Sequence, residues 1–232
     1  TPLYSSAASD VYKRQLKKYV AFFDLDHTIL DVNSGRILIE QAHKKGLVDT
    51  KKIFLAYMFS ALYGIGLLRA EYIMLKLADW LKGIAEKEFA AFTDEMFEKY
   101  LKNTVRQQAI KEIQRHKKHD AKLVILSAAT SYVCESVKKM LGFDDLLCSK
   151  MEVIDGFFSG FPDGPYCYGD EKLNQVIDYC EKHNFNLEET FYYADSHSDI
   201  VVLEAIGNPI CVTPDRKLKK LAQKKDWPVY NW

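Results

Sequence analysis

Short apolar runs alternate with amphipathic stretches along most of the chain, and this alternation predicts its secondary structure. Runs at 19–23, 122–126 and 191–194 have the length and composition of buried strands, and further strands are predicted at 145–148 and 209–212. Strands that alternate with helices indicate an α/β fold built on a Rossmann-like, doubly wound parallel sheet. Helical spacing of apolar residues predicts the intervening helices near 131–140, 171–183, 198–206 and 215–224.

The stretch 33–104 breaks this alternation. Its apolar residues recur at helical spacing in successive blocks that are separated by glycines. Because the stretch lies between the first two predicted strands, we expect it to form an all-helical cap domain inserted over the sheet edge. The flanking segments 19–32 and 105–232 would form the core domain. Residues 1–18 resemble translated adapter sequence or an ordinary disordered tail, and no function is assigned to them.

A long uncharged run occupies residues 53–68 of the predicted cap. Crossing a bilayer takes about 20 apolar residues, and this run is shorter. It therefore predicts a core helix of the cap and no membrane span. An apolar substrate surface and a dimer contact remain alternatives, because its bulky aromatic residues could leave an exposed apolar patch.

The composition narrows the function classes. A chain of 232 residues suits one core domain with an insertion. Its 32 basic residues balance 32 acidic ones, so there is no bulk charge to attract a nucleic acid or a membrane surface. The five cysteines are scattered without metal-type spacing, and no secretory signal is visible. Both features indicate reduced core thiols and a cytoplasmic location.

The clearest chemical signal is the sequence Asp24-Leu25-Asp26-His27-Thr28, directly after the first predicted strand. Two carboxylates at the mouth of a buried strand are costly unless something uses or neutralises them. A divalent cation and a phosphate would do both, since the carboxylates could hold the metal and one could attack phosphorus. Taken alone, the motif is equally consistent with a polar turn that caps a strand.

Four further residues favour the chemical interpretation. Ser127 ends the second strand, and Asp195 ends the strand 191–194, with Asp199 one helical turn further on. Lys172 lies near the start of a predicted helix. Because ligands of a parallel sheet bind beyond the carboxyl ends of its strands, these side chains are expected to meet the two aspartates at one edge.

In this order and setting, the residues resemble the four motifs of the haloacid dehalogenase superfamily, the aspartyl-phosphate phosphatases. The spacing and the sequence around Lys172 are similar to subfamily IB, the branch that includes the phosphoserine phosphatases. The resemblance implies a phosphoric monoester hydrolase that acts on a small molecule. The matching positions are Asp24-x-Asp26-x-Thr28, Ser127, Lys172 and Asp195-x-x-x-Asp199.

The resemblance and the residue types together imply the catalytic roles. Asp24 would attack the phosphorus and form a phospho-aspartate. Asp26 would protonate the leaving alcohol and then activate the water that cleaves the intermediate. Lys172 would neutralise negative charge by contacting the phosphate and Asp24.

The same reasoning implies the ligands of the phosphate and of the metal. Thr28 and Ser127 would donate hydroxyl hydrogen bonds to the phosphate, and the amides after Ser127, that of Ala128 included, are expected to open a helix that favours anions. The implied cofactor is Mg²⁺. Its expected ligands are Asp24, Asp195, water and, as the resemblance implies, the backbone carbonyl of Asp26. Asp199 would either ligate the ion directly or orient its water shell.

The cap residues depart from the phosphoserine phosphatase pattern. In those enzymes a glutamate nine residues beyond the nucleophile meets the substrate ammonium, and here that position is Asn33. Alanines replace the glycines that usually follow Ser127. Arg69 is placed where an arginine could meet a carboxylate, and Arg36 is a further candidate contact. The expected substrate is a small organic phosphomonoester, with phosphoserine and amino-alcohol phosphates as candidates.

Two alternatives use the same site. A phosphotransferase would pass the phosphoryl group from Asp24 to an acceptor other than water. A catalytically idle protein would only bind a phosphorylated ligand, which the retention of Asp26 and Lys172 disfavours. The sequence leaves the oligomeric state open.

The six histidines are predicted to have no catalytic role. His27 and His197 occupy spacer positions within the motifs. The other four show no ligand spacing and are expected at the surface: His43, His116, His119 and His183.

Overall fold

The computed structural model describes residues 19–51, 58 and 78–232. The predictions for the tail 1–18, for the run 53–68 apart from Met58, and for Arg69 fall outside the described residues. Among those that are described, no helix has the length and apolar character needed to cross a membrane.

Eight strands and seven α-helices are described, and the labels below number them in chain order. The strands are β1 (Val20–Phe23), β2 (Lys122–Thr130), β3 (Asp145–Ser149), β4 (Met151–Ile154), β5 (Phe157–Pro162), β6 (Phe191–Ala194), β7 (Asn208–Val212) and β8 (Val229–Tyr230). The helices are α1 (Ser34–Lys44), α2 (Glu86–Met96), α3 (Gln107–Lys118), α4 (Ser131–Leu141), α5 (Asp170–His183), α6 (Ile200–Ala205) and α7 (Arg216–Lys224).

Six strands form one parallel sheet in the order β3-β2-β1-β6-β7-β8. β1 lies in the middle, with Phe23 paired to Ile125 of β2 and to Tyr193 of β6. All four residues of β1 are buried, as expected for a strand of a parallel sheet that is covered on both faces. The predicted α/β fold with a doubly wound parallel sheet is confirmed.

Alternate residues of the strands build two separate cores. Phe23, Ile125 and Tyr193 face the side covered by α2, α3 and α4. Phe22 and Tyr192 face the side covered by α5, α6 and α7. The two-residue period of a strand places its neighbours on opposite faces, so an unbroken apolar run supplies both cores. The five cysteines are buried and unpaired, in agreement with the predicted core thiols.

β4 and β5 form an antiparallel hairpin that the sequence pattern does not predict. Apolar and polar residues do not alternate regularly along its two strands, and the apolar residues Phe157 and Phe161 are exposed. The hairpin therefore shows neither of the sequence patterns that mark a strand, a continuous apolar run or a regular alternation. The edge strand β8 is not predicted either, because two residues are too few to give a pattern. The predicted helix 198–206 begins instead as a 3₁₀ turn at His197–Asp199 and continues as α6.

The stretch 33–104 leaves and re-enters the core through two linkers that pair with each other. Leu30 and Val105 form an antiparallel bridge. The Asp31 amide donates to the Thr104 carbonyl and the Arg106 amide to the Ile29 carbonyl, each at 2.9 Å. This pairing fixes both ends of the stretch beside the carboxyl end of β1.

The end of this stretch packs on the hairpin. Backbone hydrogen bonds join Gly83 to Phe158 (2.8 Å) and Glu86 to Gly156 (2.9 Å). The Glu86 carboxylate also accepts from the Tyr132 hydroxyl of α4 at 2.8 Å. The hairpin and α4 therefore hold α2 in place over the edge of the sheet.

His116 is buried, which corrects the prediction that it lies at the surface. Its two ring nitrogens lie 2.9 Å from the hydroxyls of Tyr19 and Tyr193. Burial, with the nearby Arg115 charge, lowers the pKa of His116 to about 3, so the ring is neutral at physiological pH. One His on a helix gives no sequence signal for such a network, because its partners come from distant strands.

Gly207, just before β7, is expected to tolerate no side chain. A Cβ there would lie 1.8 Å from the Glu188 carbonyl oxygen, a backbone atom that cannot rotate away. Gly207→Ala should lower the free energy of unfolding by about 2–3 kcal/mol. Urea unfolding of the variant would measure this loss. Gly46→Ala is the control, since a Cβ there meets nothing and only the left-handed backbone (φ 74°) costs about 1 kcal/mol. Equal losses in both variants would contradict the steric account.

Candidate active site

Three parallel strands deliver acidic and hydroxyl groups to one edge of the sheet. Asp24 directly follows β1. Asp195 directly follows β6, the strand that is hydrogen-bonded to β1. The Asp24 amide donates to the Tyr193 carbonyl at 2.9 Å, which holds the first aspartate in register with β6. Ser127 lies in β2 on the other side of β1, and its side chain is buried.

Lys172 reaches this edge from the first turn of α5. Its ammonium donates to Asp24 Oδ1 at 2.9 Å and to Asp199 Oδ1 at 2.5 Å. The Tyr192 hydroxyl donates to the same Asp199 oxygen at 2.6 Å. Lys172 is 4% exposed, and a buried lysine is stable only when paired, so these contacts fix its position.

The electrostatics of the cluster are dominated by burial and by excess negative charge. Burial raises the pKa of Asp24 to about 7. The positive charge of Lys172 lowers this pKa, and the negative charge of Asp199 raises it. Burial and the charges of Asp24 and Asp199 raise the pKa of Asp195 to about 8. The Lys172 pKa lies well above its usual range, because the two carboxylates outweigh the cost of burying its charge.

The donor set of the cluster fits a divalent cation. Carboxylate oxygens of Asp24, Asp195 and Asp199 lie within 4.8 Å of one another. Three buried or partly buried carboxylates face one ammonium, and a cation would balance the remaining charge. Carboxylate oxygens are the ligands that Mg²⁺ prefers, so these residues are suited to hold it. Every carboxylate of this cluster had been predicted as a metal ligand.

Asp26 lies apart from the acidic cluster. Its Oδ1 accepts a hydrogen bond from the Ser34 amide at 2.9 Å. Asp26 lies in the wide turn Leu25–Ile29, in which the backbone of His27 adopts the left-handed conformation at φ 56°. Burial raises the Asp26 pKa, although the hydrogen bonds from Ser34 oppose the shift. A carboxyl group that holds its proton more tightly is suited to act as a general acid.

The two residues whose hydroxyls are predicted to bind phosphate, Thr28 and Ser127, are both buried. The Thr28 hydroxyl is fully buried and has no hydrogen-bond partner among the described residues. A buried hydroxyl without a partner is costly, and a ligand oxygen would satisfy it. Ser127 Oγ accepts from the Ala129 amide at 3.2 Å.

The helix predicted near 131–140 is confirmed, but the amides directly after Ser127 do not open it. β2 continues to Thr130, with an irregular register, and α4 begins at Ser131. Ala128 therefore belongs to the irregular end of the strand. Pairing of Thr130 with Ser149 of β3 extends the strand, although alanine itself has a low β-propensity.

Two of the three predicted cap contacts, Asn33 and Arg36, lie among the described residues, and both are exposed. Asn33 caps α1, with its Oδ1 accepting from the Arg36 amide at 2.8 Å. The Arg36 guanidinium pairs with Glu40 at 2.8 Å on the surface of α1. Each residue nevertheless lines the pocket described next, while the third predicted contact, Arg69, lies outside the described residues.

A pocket of about 460 Å³ opens beside Asp26. Its walls come from α1, the segment 78–81, the end of β2, α4 and the hairpin. Trp80, Met151 and Tyr166 line it, and none was predicted as a site residue. The pairing of the hairpin with residues 83–86 helps to place Met151 and Trp80 in the wall of one pocket, and nothing in the sequence signals that placement.

Known proteins resemble the chain in both sequence and structure. A family model described as haloacid dehalogenase-like hydrolase matches residues 21–204. A histidinol-phosphatase of Neisseria meningitidis serogroup C is 25% identical, over 93% of this chain and 99% of that protein. A Bordetella pertussis Tohama I protein of unknown function shares the fold with a TM-score of 0.85 and 23% identity, over 92% and 98% of the two chains. A phospho-aspartyl intermediate analogue of phosphoserine phosphatase gives a TM-score of 0.68 at 18% identity, over 92% and 93%.

Proposed function

The chain belongs to the haloacid dehalogenase-like hydrolase family, and we propose that it is a Mg²⁺-dependent phosphatase that hydrolyses a small organic phosphomonoester through a phospho-aspartate on Asp24. The observation that carries the proposal is the joint placement of Asp24, Lys172 and the other two carboxylates at one buried edge. The chain is thus an enzyme, as predicted, and its family relatives include a named phosphatase.

In the first step, Asp24 attacks the phosphorus of the ester. A bond forms between a carboxylate oxygen and phosphorus, and the bond from phosphorus to the alcohol oxygen breaks. Asp26 gives its proton to the departing alcohol, for which its raised pKa is suited. The Ser34 amide holds the Asp26 carboxyl in place during this transfer.

In the second step, water cleaves the acyl-phosphate. Asp26, now a carboxylate, takes a proton from the water, whose oxygen bonds to phosphorus as the bond to Asp24 breaks. Inorganic phosphate leaves and Asp24 returns to its starting state. The same residue thus serves as acid and then as base.

Charge neutralisation is the main task of the remaining residues. Lys172 lies 2.9 Å from the attacking carboxylate and can also contact the phosphate oxygens. Thr28 and Ser127 would donate hydroxyl hydrogen bonds to those oxygens. Mg²⁺, held by Asp24, Asp195, Asp199 and the Asp26 carbonyl, would supply further positive charge.

We extend the proposal to the domain organisation. Residues 19–32 and 105–232 would form the catalytic core, and 33–104 a cap. The paired linkers at Leu30 and Val105 support these boundaries, because both ends of the stretch leave the core at one place. Closure of the cap over Asp24 would exclude bulk water before transfer.

Phosphate release by the purified chain tests the proposed function. The panel would hold a chromogenic aryl phosphate, phosphoserine, histidinol phosphate, phosphoethanolamine and two sugar phosphates. With Mg²⁺ present we expect release from at least one ester, and with chelator a fall of at least about 100-fold, since the buried carboxylates are then left without their counter-cation. Added Mg²⁺ should restore the rate.

Two results would count against the proposal. Release that is unaffected by chelator would remove the metal from it. No release from any ester, with folded protein and Mg²⁺ present, would favour an idle phospho-ligand-binding protein. A phosphorylated alcohol among the products, when acceptor alcohols are added, would identify a phosphotransferase instead.

A further inference from the structure

The pocket beside Asp26 lies where the alcohol portion of a substrate must be bound. Asp26, the proposed general acid, and Ala128, which follows Ser127, are both among its lining residues. The alcohol oxygen must meet Asp26 to receive its proton, so the rest of the alcohol extends into this pocket. We propose that the preferred substrate is a phosphomonoester of an apolar alcohol larger than serine, an inference that rests on the proposed phosphatase function.

Apolar side chains form most of the part of the pocket wall that the structure describes. Trp80 and Leu38 are buried, and Met151 closes the pocket from the hairpin. Ala128 and Ala129 add methyl groups where glycines would leave the wall open to polar backbone. Burial against such a surface favours alcohols in proportion to their apolar area.

The described wall carries few charged groups. Besides Asp26, Arg36 is the one charged side chain among the described lining residues, and it pairs with Glu40 at the surface. Asn33 Oδ1 is held by the helix cap. Tyr166 is a neutral phenol at physiological pH, because burial raises its pKa to about 12.

This wall disfavours a zwitterionic alcohol such as serine. Its ammonium and carboxylate would lose water, and the described wall offers them mainly apolar carbon. The buried hydroxyls of Ser34 and Thr130, which have no hydrogen-bond partner among the described residues, are neutral and supply no counter-charge. Burying an unpaired charge costs several kcal/mol, whereas burying methylene groups is favourable. The pocket volume of about 460 Å³ lies in the range of small-molecule sites and leaves room for a longer alkyl or an aromatic group.

A series of alkyl phosphates provides the test. Ethyl, butyl and hexyl phosphate have leaving groups of similar basicity, so the chemical step is matched and the apolar area varies. With the full chain and Mg²⁺, kcat/KM should rise about 3- to 4-fold for each added methylene. Isobutyl phosphate, which replaces the ammonium and carboxylate of phosphoserine with methyl groups, should exceed phosphoserine by at least 10-fold.

A near-isosteric substitution tests whether this pocket is responsible. Met151→Gln should lower kcat/KM for hexyl phosphate about 5-fold or more and change that for ethyl phosphate less than 2-fold, because only the longer chain reaches the wall. Met140→Gln is the matched control. Met140 is 42% exposed and is not among the residues that line the pocket, so neither substrate should be affected.

The outcomes separate this inference from the proposed function. Phosphate release that does not increase with chain length, or that favours phosphoserine over isobutyl phosphate, would overturn the apolar assignment and leave the phosphatase proposal standing. A chain-length effect unchanged in Met151→Gln would also overturn the assignment to this pocket. No release from any ester would overturn the phosphatase proposal itself.

Discussion

Asp24→Asn will reduce phosphate release by about 10⁴-fold or more, because the amide cannot attack phosphorus. The substitution keeps the size and shape of the side chain. Its neighbours should remain in place, since the amide oxygen can still accept the 2.9 Å hydrogen bond from Lys172. Single-turnover and steady-state assays with the best ester of the panel would measure the loss.

The stability of this variant separates chemistry from folding. Asp24 is one of three carboxylates that repel one another, so its neutralisation should not lower the melting temperature of the metal-free protein. The rise in melting temperature on adding Mg²⁺ should shrink, because one ligand is lost. Asp31→Asn, an exposed aspartate in the following loop, is the control and should change neither quantity. A rate within 10-fold of wild type would exclude Asp24 as the nucleophile.

Lys172→Met will impair both activity and stability. The ammonium is the buried cation that pairs with Asp24 and Asp199, and its loss leaves two carboxylates close together. Removing one partner of a buried ion pair costs about 3–5 kcal/mol. Phosphate release should fall about 10²- to 10³-fold, the usual effect of removing one group that stabilises transition-state charge.

The pH dependence identifies the cause of that instability. Without Lys172 the carboxylate pKa values should rise further, so the stability of the variant should be largest at low pH and fall as pH rises through those values. Urea unfolding of metal-free protein at several pH values would measure this trend. Lys182→Met, an exposed lysine of the same helix, should behave as wild type. Loss of stability independent of pH would show that Lys172 acts through packing instead.

The sequence by itself determined the central strands of the sheet and the acidic residues at their carboxyl ends. The apolar runs at 19–23, 122–126 and 191–194 became neighbouring strands, since a run buried on both faces has few other stable arrangements than a parallel sheet. The motif carboxylates then had to meet at one edge, and Asp24, Asp195 and Asp199 do so. The family resemblance, based on the same motifs, is confirmed by the match over 21–204.

Tertiary structure alone decided the pocket beside Asp26 and the polar network around His116. Met151 and Trp80 line one pocket because a hairpin without a clear sequence pattern pairs with residues 83–86. His116 is buried because hydroxyls from distant strands satisfy both of its nitrogens. The periodicity of apolar residues predicts which face of a helix or strand is apolar. It does not predict which distant element packs against that face. The catalytic motifs could therefore be predicted from their strands, while the surfaces that select a substrate depended on long-range packing.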